Sequence, residues 1–390
     1  VTNMAGFASL DDLINEITVN GKYRRIDTAK NTTPAHTAGG WHSLFSLDGS
    51  PNATTYPSAQ DLVFQTCTET GGDAASAGIL GVQHGGNVST DTKHILSAGV
   101  QVVAAAGAPW QAKLVDLQGY YRMATTNVTG TGSRTLIKSN TFTASSSSGL
   151  LLTYTNDFNT FSKVQFTTTT TLPTGLALAT DYWLVRVSAT TARVATSLAN
   201  AIAGTVVAFT DAGVGTHTVT MQMPRYQDGV GCEAFFVAQT QPTAGGPTLS
   251  ASSYTNTAGV AARAFQGSVT MGATADAYGT RILHSGNAAG RYGPFLPKQG
   301  GDTGIKSIES FTWSAGTAYT GSGVVALCVV RPLLDILIPA TGVMSIVDCV
   351  NSLPSLPRVY DGACLGWLLF STGATTNLSP VNSYIDVGWG

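Results

Sequence analysis

Two short motifs in the sequence carry residue types that could perform acyl-transfer chemistry. His-Gly-Gly at 84–86 matches the loop that supplies an oxyanion hole in some α/β-hydrolases, and Gly-x-Cys-x-Gly at 362–366 mimics their nucleophile elbow. In that fold the catalytic acid and then the histidine follow the nucleophile, whereas Cys364 is followed by Asp386 and by no histidine. The alternating strand–helix pattern that builds such an elbow is also missing. We therefore expect Cys364 to be a buried structural residue and the protein not to be an enzyme.

Patterns that would bind a metal or a cofactor are sparse. The six histidines include no His-x-x-x-His pair on a helix, which leaves His36 and His42 as the candidates for a loop metal site. The turn at 48–52 lacks the further carboxylates of an EF-hand, and there is neither a G-x-G-x-x-G nor a Walker loop. The cysteines form no C-x-x-C pair and therefore indicate neither a zinc site nor a disulfide scaffold: Cys67, Cys232, Cys328, Cys349 and Cys364. The sequence predicts no metal and no cofactor.

The composition favours β-structure with a hydroxyl-rich surface. Charged residues make up 11% of the 390 residues, against about 25% in an average globular protein, and 43% are hydrophobic. Between 140 and 222 only six side chains are charged and none is Glu, while Thr is abundant. A formal net charge of -2 gives no field that would attract nucleic acid or an anionic membrane surface. Low charge with high hydrophobicity is typical of strands whose polar face is built from Thr and Ser.

The sequence predicts one clear helix and many short strands. Ser9 and Asp12 form a capping-box pattern, and apolar residues at i, i+3, i+4 and i+7 predict an amphipathic helix over about 9–18: Leu10, Leu13, Ile14 and Ile17. After this helix, apolar segments of about 5–8 residues alternate with turn-forming clusters, and only DTKHILSA at 91–98 is compatible with a second short helix. The most apolar stretch, 321–340, contains Arg, Pro and Asp, so we expect no membrane span.

A change in composition divides the chain into a host and an insert. Six or seven short strands follow one another in the Thr-rich segment 134–223, which is the size of one small sandwich. We predict that this segment is a domain inserted into a loop of a host domain formed by 1–133 and 224–390. The predicted fold class is all-β, with a β-sandwich or jelly-roll-like host, one short N-terminal helix and an inserted small β-sandwich.

Several segments resemble those of known proteins. The insert sequence LPTGLALATDYWLVRVSATTARVATS, 172–197, resembles a small Ig-like β-sandwich module that recurs in structural proteins of tailed bacteriophages and their prophages. The host sequences HGGNVSTDTKHILSAG, LVDLQGYY and LPSLPRVYDGACLGWL resemble a family of phage virion proteins. In that family a short loop joins the segments that match LVDLQGYY and RYQDGVGCEAFF, which implies that the insert is optional.

This resemblance implies a non-enzymatic structural protein of the virion, assembled in the bacterial cytoplasm. The first hypothesis is a capsid decoration or auxiliary head protein. It would bind the major capsid protein or other virion proteins, form homo-oligomers, with a trimer favoured, and display the insert outward. The alternative is a tail, fibre or spike component that binds a host-surface glycan through the insert. Neither hypothesis includes a nucleic acid or a membrane as partner.

Two groups of residues are candidates for contacts with partners. The basic segment after the helix could dock as an arm on an acidic protein surface, the alternative being an ordinary solvated segment: Lys22, Arg24, Arg25 and Lys30. The insert also carries six aromatic residues. Strand alternation places most of them in its core and leaves at most two or three able to stack on a sugar: Tyr154, Phe158, Phe161, Phe166, Tyr182 and Trp183.

Overall fold

The computed structural model describes residues 6–30, 39–45, 49–50, 62–63, 82, 84–88, 90–103, 109–126, 131–135, 139–145, 150–151, 160–188, 190–240, 248–267, 269–270, 281–283, 293–314, 322–372 and 380–390. The helices in these ranges are α1 (Leu10–Thr18), α2 (Leu198–Ala203) and α3 (Cys349–Ser352). None of these three is long and apolar enough to cross a membrane. The strands in the same ranges are, in chain order, β1 (Tyr23–Lys30), β2 (Gly40–Ser43), β3 (Gly49–Ser50), β4 (Leu62–Val63), β5 (Lys93–Val102), β6 (Trp110–Thr126), β7 (Thr131–Thr135), β8 (Ser139–Phe142), β9 (Ala144–Ser145), β10 (Leu150–Leu151), β11 (Lys163–Thr168), β12 (Tyr182–Arg186), β13 (Ala192–Ala195), β14 (His217–Met221), β15 (Glu233–Thr240), β16 (Thr248–Asn256), β17 (Ile282–Leu283), β18 (Ile305–Ser314), β19 (Ser322–Ile338), β20 (Ser345–Asp348), β21 (Arg358–Val359), β22 (Leu365–Ser371) and β23 (Val381–Trp389).

Helix α1 begins at its predicted cap. The Ser9 hydroxyl accepts the Asp12 amide at 3.1 Å, and the Asp12 carboxylate accepts the Ala8 amide at 2.8 Å. Leu13 is buried, whereas Leu10 and Ile14 are 51% and 49% exposed. The predicted helix is confirmed, but only part of its apolar face is covered, because α1 touches the neighbouring sheet mainly through β23.

Six antiparallel strands form the central barrel. Their order is β17-β15-β19-β6-β22-β2, and a bridge between His42 of β2 and Arg281 beside β17 joins the two ends. All six strands contribute to one buried cluster, so the barrel is filled with side chains: Trp41, Phe45, Val115, Leu117, Tyr120, Phe235, Val237, Ile282, Ala326, Cys328, Val330, Cys364 and Leu368. The two longest strands, β6 and β19, have 17 residues each and pair along their full length, interrupted by β-bulges.

Two further sheets pack on the outside of the central barrel. The sheet β20-β5-β23-β1-β3, with β21 beside β5, covers one half of β6, β19 and β22. The three-stranded sheet β16-β18-β7 covers the other half, where the Phe236 ring of β15 meets the rings of Phe311 and Trp313 edge to face at 5.4 and 5.1 Å. Strands covered on both faces account for the nearly continuous apolar runs in the sequence.

The remaining sheet, which we call the inserted sheet, comes entirely from residues 139–221. Its order is β8-β14-β11-β12-β13-β10-β9. Only Thr143 separates β8 from β9, so the two strands at the ends of this order are neighbours in the chain. Its core contains Phe142, Phe166 and Tyr182, whose successive ring centroids are 5.3 and 5.5 Å apart.

The all-β prediction is confirmed, and two details differ from it. Within the segment 91–98, residues 93–98 form no helix but the first part of β5, because they pair with neighbouring strands and most of them are buried. Strand β7 crosses the predicted boundary after residue 133, since Arg134 and Thr135 pair with Phe311 and Ser310. Buried residues of the inserted sheet and of the three-stranded sheet also belong to one continuous cluster. The division into domains stays a prediction.

Candidate functional site at the junction of the inserted sheet

The inserted sheet leaves and rejoins the rest of the chain at one place. Its first and last long strands lie side by side, with Ser139 opposite Thr220 and their hydroxyls 3.1 Å apart. The chain then returns through the segment 224–228, which lies against the host. We call this meeting place the junction.

A buried ion pair anchors the returning chain at the junction. Arg225 Nε and Nη2 donate to Asp116 Oδ2 and Oδ1 at 2.8 and 2.7 Å. The same guanidinium donates to the carbonyl oxygens of Leu117 and Gly362 at 2.7 and 2.8 Å, and the Cys364 amide donates to Asp116 Oδ1 at 2.9 Å. The two charged side chains are only 4% and 1% exposed. Buried charges need this degree of hydrogen bonding, because an unpaired one would be strongly destabilising.

Arg225 keeps its charge in spite of burial. Burial by itself lowers the pKa of Arg225, but the Asp116 carboxylate raises it, and the net shift is upward. Sequence reasoning missed this pair although it left a signal: Asp116 interrupts the apolar run AKLVDLQGYY. A lone charge inside an apolar strand indicates a buried partner, but nothing in the sequence says which residue that partner is.

A second polar contact joins the inserted sheet to the returning segment. Asp181 accepts hydrogen bonds from Gln165 Nε2 at 2.8 Å and from Gln227 Nε2 at 3.1 Å, and lies 2.7 Å from Lys163 Nζ. Burial pushes the pKa of Asp181 upward, but the hydrogen bonds from Lys163, Gln165 and Gln227 outweigh it, so the pKa is lowered. The carboxylate is therefore ionised at neutral pH and holds both sides of the junction.

A cleft of about 590 Å³ opens at the junction. Its walls come from the loop before β5, the start of β11 in the inserted sheet, the returning segment and the turn after β21. We call it the junction cleft. Its lining residues are Val88, Asp91, Lys93, Lys163, Pro224, Arg225, Tyr226, Gln227, Asp228, Arg358, Val359, Tyr360 and Asp361.

A buried lysine forms the floor of the junction cleft. The Lys93 side chain is fully inaccessible, and its ammonium lies 3.1 Å from His84 Nδ1, donates to the Gly86 carbonyl and is 3.6 Å from Asp361 Oδ1. The Asp361 carboxylate also accepts the Val88 amide, at 3.1 and 3.3 Å to its two oxygens. These contacts hold the loop 84–88 against the turn that carries Asp361.

Two tyrosine rings are in contact beside Lys93, and an arginine guanidinium lies near each ring. The rings of Tyr226 and Tyr360 meet edge to face with centroids 4.9 Å apart. The Arg358 guanidinium lies 4.2 Å from the Tyr360 centroid, and that of Arg331 lies 5.6 Å from the Tyr226 centroid. Burial raises the pKa of Tyr226 far above its usual range, so its phenol stays neutral. Arg358 is exposed, and it has no carboxylate within ion-pair distance in the part of the chain that the structure describes.

The residues of the two hydrolase-like motifs occupy structural positions. Cys364 is fully buried in the barrel cluster, and its amide holds Asp116. His84 is also fully buried, beside the Lys93 ammonium. The prediction of a buried Cys364 is confirmed, and the prediction that the protein is not an enzyme stays a prediction.

The candidate metal ligands do not form a described site. His42 is buried in β2, and His36 lies outside the described residues, as does the greater part of the turn 48–52. Within the described ranges, no three His, Cys, Asp or Glu side chains converge in a way that could hold a metal ion.

The predicted docking residues lie on and beside strand β1 and not on an extended arm. Lys22 Nζ is 2.9 Å from Glu16 and 3.0 Å from Asp91, and Lys30 is buried within the sheet. Arg24 and Arg25 are exposed. Arg24 donates to the Gly85 carbonyl at 3.3 Å, while Arg25 lies 3.1 Å from Asp27 and 3.8 Å from the centroid of the Tyr384 ring. Arg24 and Arg25 are therefore the members of this set that a partner could reach.

The aromatic residues of the insert lie mainly in its core. Phe166 and Tyr182 are buried, as predicted, and Phe161 and Trp183 are half-buried. The Lys163 ammonium lies 5.5 Å from the centroid of the Trp183 ring. Tyr154 and Phe158 are outside the described residues. Trp183 is thus the best-placed described aromatic residue for a contact on the inserted sheet.

Comparison of the chain with models of known protein families, with curated proteins and with solved structures gives no match. The resemblance to phage virion proteins therefore stays a prediction from the sequence.

Proposed function

We propose that this chain is a non-enzymatic structural protein of a tailed-phage virion, and more specifically a decoration or auxiliary head protein. The host part would bind the capsid shell, and the inserted sheet would project from it. The observation that supports this proposal is the construction of the junction. A sheet made from one continuous segment, with both ends together, is fixed to the central barrel by the Arg225–Asp116 pair.

This construction suits a scaffold that displays a module. The inserted sheet is built from one continuous segment, and its strands β8 and β14, near the two ends of that segment, pair with each other. The host supplies a barrel with sheets packed on two sides, which is a rigid base. Such a base can be repeated many times on a lattice, where individually weak interfaces add up through multivalency.

The surface around α1 is the proposed contact with the shell. Leu10 and Ile14 of α1 are half exposed, and the exposed Arg24 and Arg25 follow on β1. Apolar side chains beside two cations fit an acidic partner surface with an apolar centre. Homo-oligomers, with a trimer favoured, would multiply these contacts.

Copy number in purified particles tests the proposal. The chain is quantified by mass spectrometry relative to the major capsid protein in phage particles that carry its gene. Hundreds of copies per particle support a decoration protein, whereas a handful supports the alternative of a tail, fibre or spike component that binds a host-surface glycan. Absence of the chain from the particles would refute both.

A further inference from the structure

We propose that the junction cleft is a binding site for a neutral carbohydrate, held between the Tyr226–Tyr360 ring pair and the polar groups of Arg358, Gln227 and Asp228. This inference goes beyond the proposed structural role and does not depend on it, since it concerns what the cleft binds and not where the protein resides.

The dimensions of the junction cleft suit a small ligand. Its volume of about 590 Å³ lies within the range of about 300–1,000 Å³ that is usual for small-molecule pockets. Its walls come from both the host and the inserted sheet, and pockets are frequent where two structural units meet. One or two sugar rings would fill such a volume.

The charges around the junction cleft nearly cancel. Among the described residues, four cations and three carboxylates line it. Three of these charges have partners outside the lining, since Arg225 pairs with Asp116, Lys163 with Asp181 and Asp91 with Lys22. Lys93 lies near Asp361 within the lining, which leaves one cation, Arg358, and one carboxylate, Asp228. The cleft therefore has no excess of positive charge to attract phosphate or nucleic acid, and no excess of negative charge to attract a cation. An uncharged ligand fits this balance best.

The accessible polar groups include both donors and acceptors. The Arg358 guanidinium has five N–H donors and no carboxylate partner among the described residues. Gln227 donates through Nε2 to Asp181, and the oxygen of the same amide is an acceptor. The exposed Asp228 carboxylate accepts the Val230 amide at 3.1 Å and keeps further acceptor capacity. A hydroxyl group both donates and accepts, so a ligand with several hydroxyls can satisfy all of these groups together.

The ring pair supplies the apolar part of the site in a fixed orientation. The rings of Tyr226 and Tyr360 meet edge to face at 4.9 Å, and the Arg358 guanidinium lies 4.2 Å from the Tyr360 centroid. Aromatic rings next to hydrogen-bonding groups are what a sugar ring needs, because it has apolar C–H faces and a polar rim of hydroxyls. Side chains held in place before binding lose little conformational entropy when the ligand arrives.

Saturation-transfer NMR on the full-length protein tests the proposal. The probes are methyl glycosides of glucose, galactose, mannose and N-acetylglucosamine at millimolar concentration, with glucuronic acid, inorganic phosphate and an acidic peptide as charged probes. We expect transfer to at least one neutral glycoside, and a loss of affinity of about tenfold or more in Tyr360→Ala and in Asp228→Asn. Tyr360→Phe, which keeps the ring, should retain most of the binding.

Trp183→Ala is the matched control, since it removes a half-buried aromatic residue of the inserted sheet that does not line the cleft. It should bind the glycoside as the unmodified protein does. Thermal unfolding of each variant identifies any that has lost its fold, and Asp228→Asn, at an exposed loop position, remains informative if Tyr360→Ala unfolds. The proposal is overturned if no neutral glycoside binds, if only a charged probe binds, or if Trp183→Ala abolishes binding and the cleft variants do not. Because copy number in particles is measured separately, such a failure leaves the proposed function unaffected.

Discussion

Arg225 and Asp116 are 109 residues apart in the sequence and form a two-point ion pair in the interior, with nitrogen–oxygen distances of 2.8 and 2.7 Å. The pair connects barrel strand β6, which precedes the inserted sheet, with the segment that follows it. A third participant, the Cys364 amide, ties β22 to the same carboxylate. The attachment of the inserted sheet is thus built into the barrel itself.

Breaking this pair should strongly destabilise the protein. Arg225→Met leaves the Asp116 carboxylate buried without its counter-charge, and we expect a loss of about 3–5 kcal/mol in the free energy of unfolding, measured by urea denaturation. The double variant Arg225→Met with Asp116→Leu should recover much of this loss, because no unpaired charge remains. Lys306→Met, at an exposed position of β18, is the control and should change stability by less than about 0.5 kcal/mol. A loss below about 1 kcal/mol in Arg225→Met would contradict the role assigned to the pair.

Removal of the inserted sheet should leave a folded host if the deletion leaves β7 and Arg225 in place. A variant that lacks 137–222 and carries a short Gly/Ser loop in their place keeps both the pairing of β7 with β18 and the Arg225–Asp116 pair. We expect it to be soluble and to unfold cooperatively in urea.

The matched variant lacks 133–224 and joins Gly132 to Arg225. It loses the β7 pairings of Ser133, Arg134 and Thr135, and should be less stable than the first variant. Equal stability of the two would show that β7 contributes nothing to the host, and aggregation of both would count against the insertion model.

The three-stranded sheet should lose stability in acid through Asp302. This carboxylate accepts hydrogen bonds from Arg263 Nε and Nη2, both at 3.0 Å, from Tyr254 at 2.5 Å and from Asn256 at 2.7 Å. The Arg263 hydrogen bonds, joined by those of Tyr254 and Asn256, hold the pKa of Asp302 well below its usual value of 3.8. A lowered folded-state pKa stabilises the fold fully above the unfolded-state value, and this contribution is lost as the pH falls through the folded-state value.

We therefore expect Asp302→Asn to be less stable than the unmodified protein at pH 7, and the difference to shrink as the pH falls below about 4. Thermal unfolding from pH 7 to pH 2 measures both curves. Asp27→Asn, whose side chain is 73% exposed, is the control and should stay within about 0.5 kcal/mol of the unmodified protein at pH 7. A constant difference between the Asp302→Asn and unmodified curves across this pH range would rule out the linkage.

The thiol of Cys364 should be unreactive in the native protein. It is fully buried, so an alkylating reagent should label it only after unfolding, as detected by mass spectrometry. Cys364→Ala should lower the free energy of unfolding by about 1–2 kcal/mol through the small cavity it creates. The separate variant His84→Ala should also lower the free energy of unfolding, because it removes a neighbour of the inaccessible Lys93 ammonium. Stoichiometric labelling of native Cys364 by a mechanism-based hydrolase probe would overturn the structural interpretation.

Charge reversal on β1 should weaken binding to the shell if the proposed docking surface is correct. The double variant Arg24→Glu with Arg25→Glu reverses the two exposed cations of the predicted docking set. We expect its affinity for purified phage heads to fall by about tenfold or more, measured by co-sedimentation, with a smaller effect at high salt. Arg193→Glu with Lys306→Glu reverses two exposed cations elsewhere and should bind normally. Equal binding by the two double variants would place the contact on another surface.

Local patterns in the sequence were sufficient for the elements that depend on near neighbours. The Ser9 cap and the apolar spacing after it predicted α1, because both signals act within one or two helical turns. The all-β class followed from short apolar segments between turn residues. Strand alternation indicated that most aromatic residues of the insert lie in its core, without saying which, and Phe166 and Tyr182 are buried there. The same local signals allowed either a helix or a strand at 91–98. The pairing of β5 with β23 and β20 determines that residues 93–98 form a strand.

The tertiary structure alone decided how these elements combine. Closure of the barrel depends on one bridge between His42 and Arg281, and no local pattern encodes contacts over such a separation. The basic residue that pairs with Asp116 lies 109 residues away in the sequence. The sequence alone does not distinguish it from any other Lys or Arg in the chain. The junction cleft exists because the loop 84–88, the returning segment and the turn after β21 meet in space. Sequence order separates these segments, and only the burial of apolar surface in the folded chain brings them together.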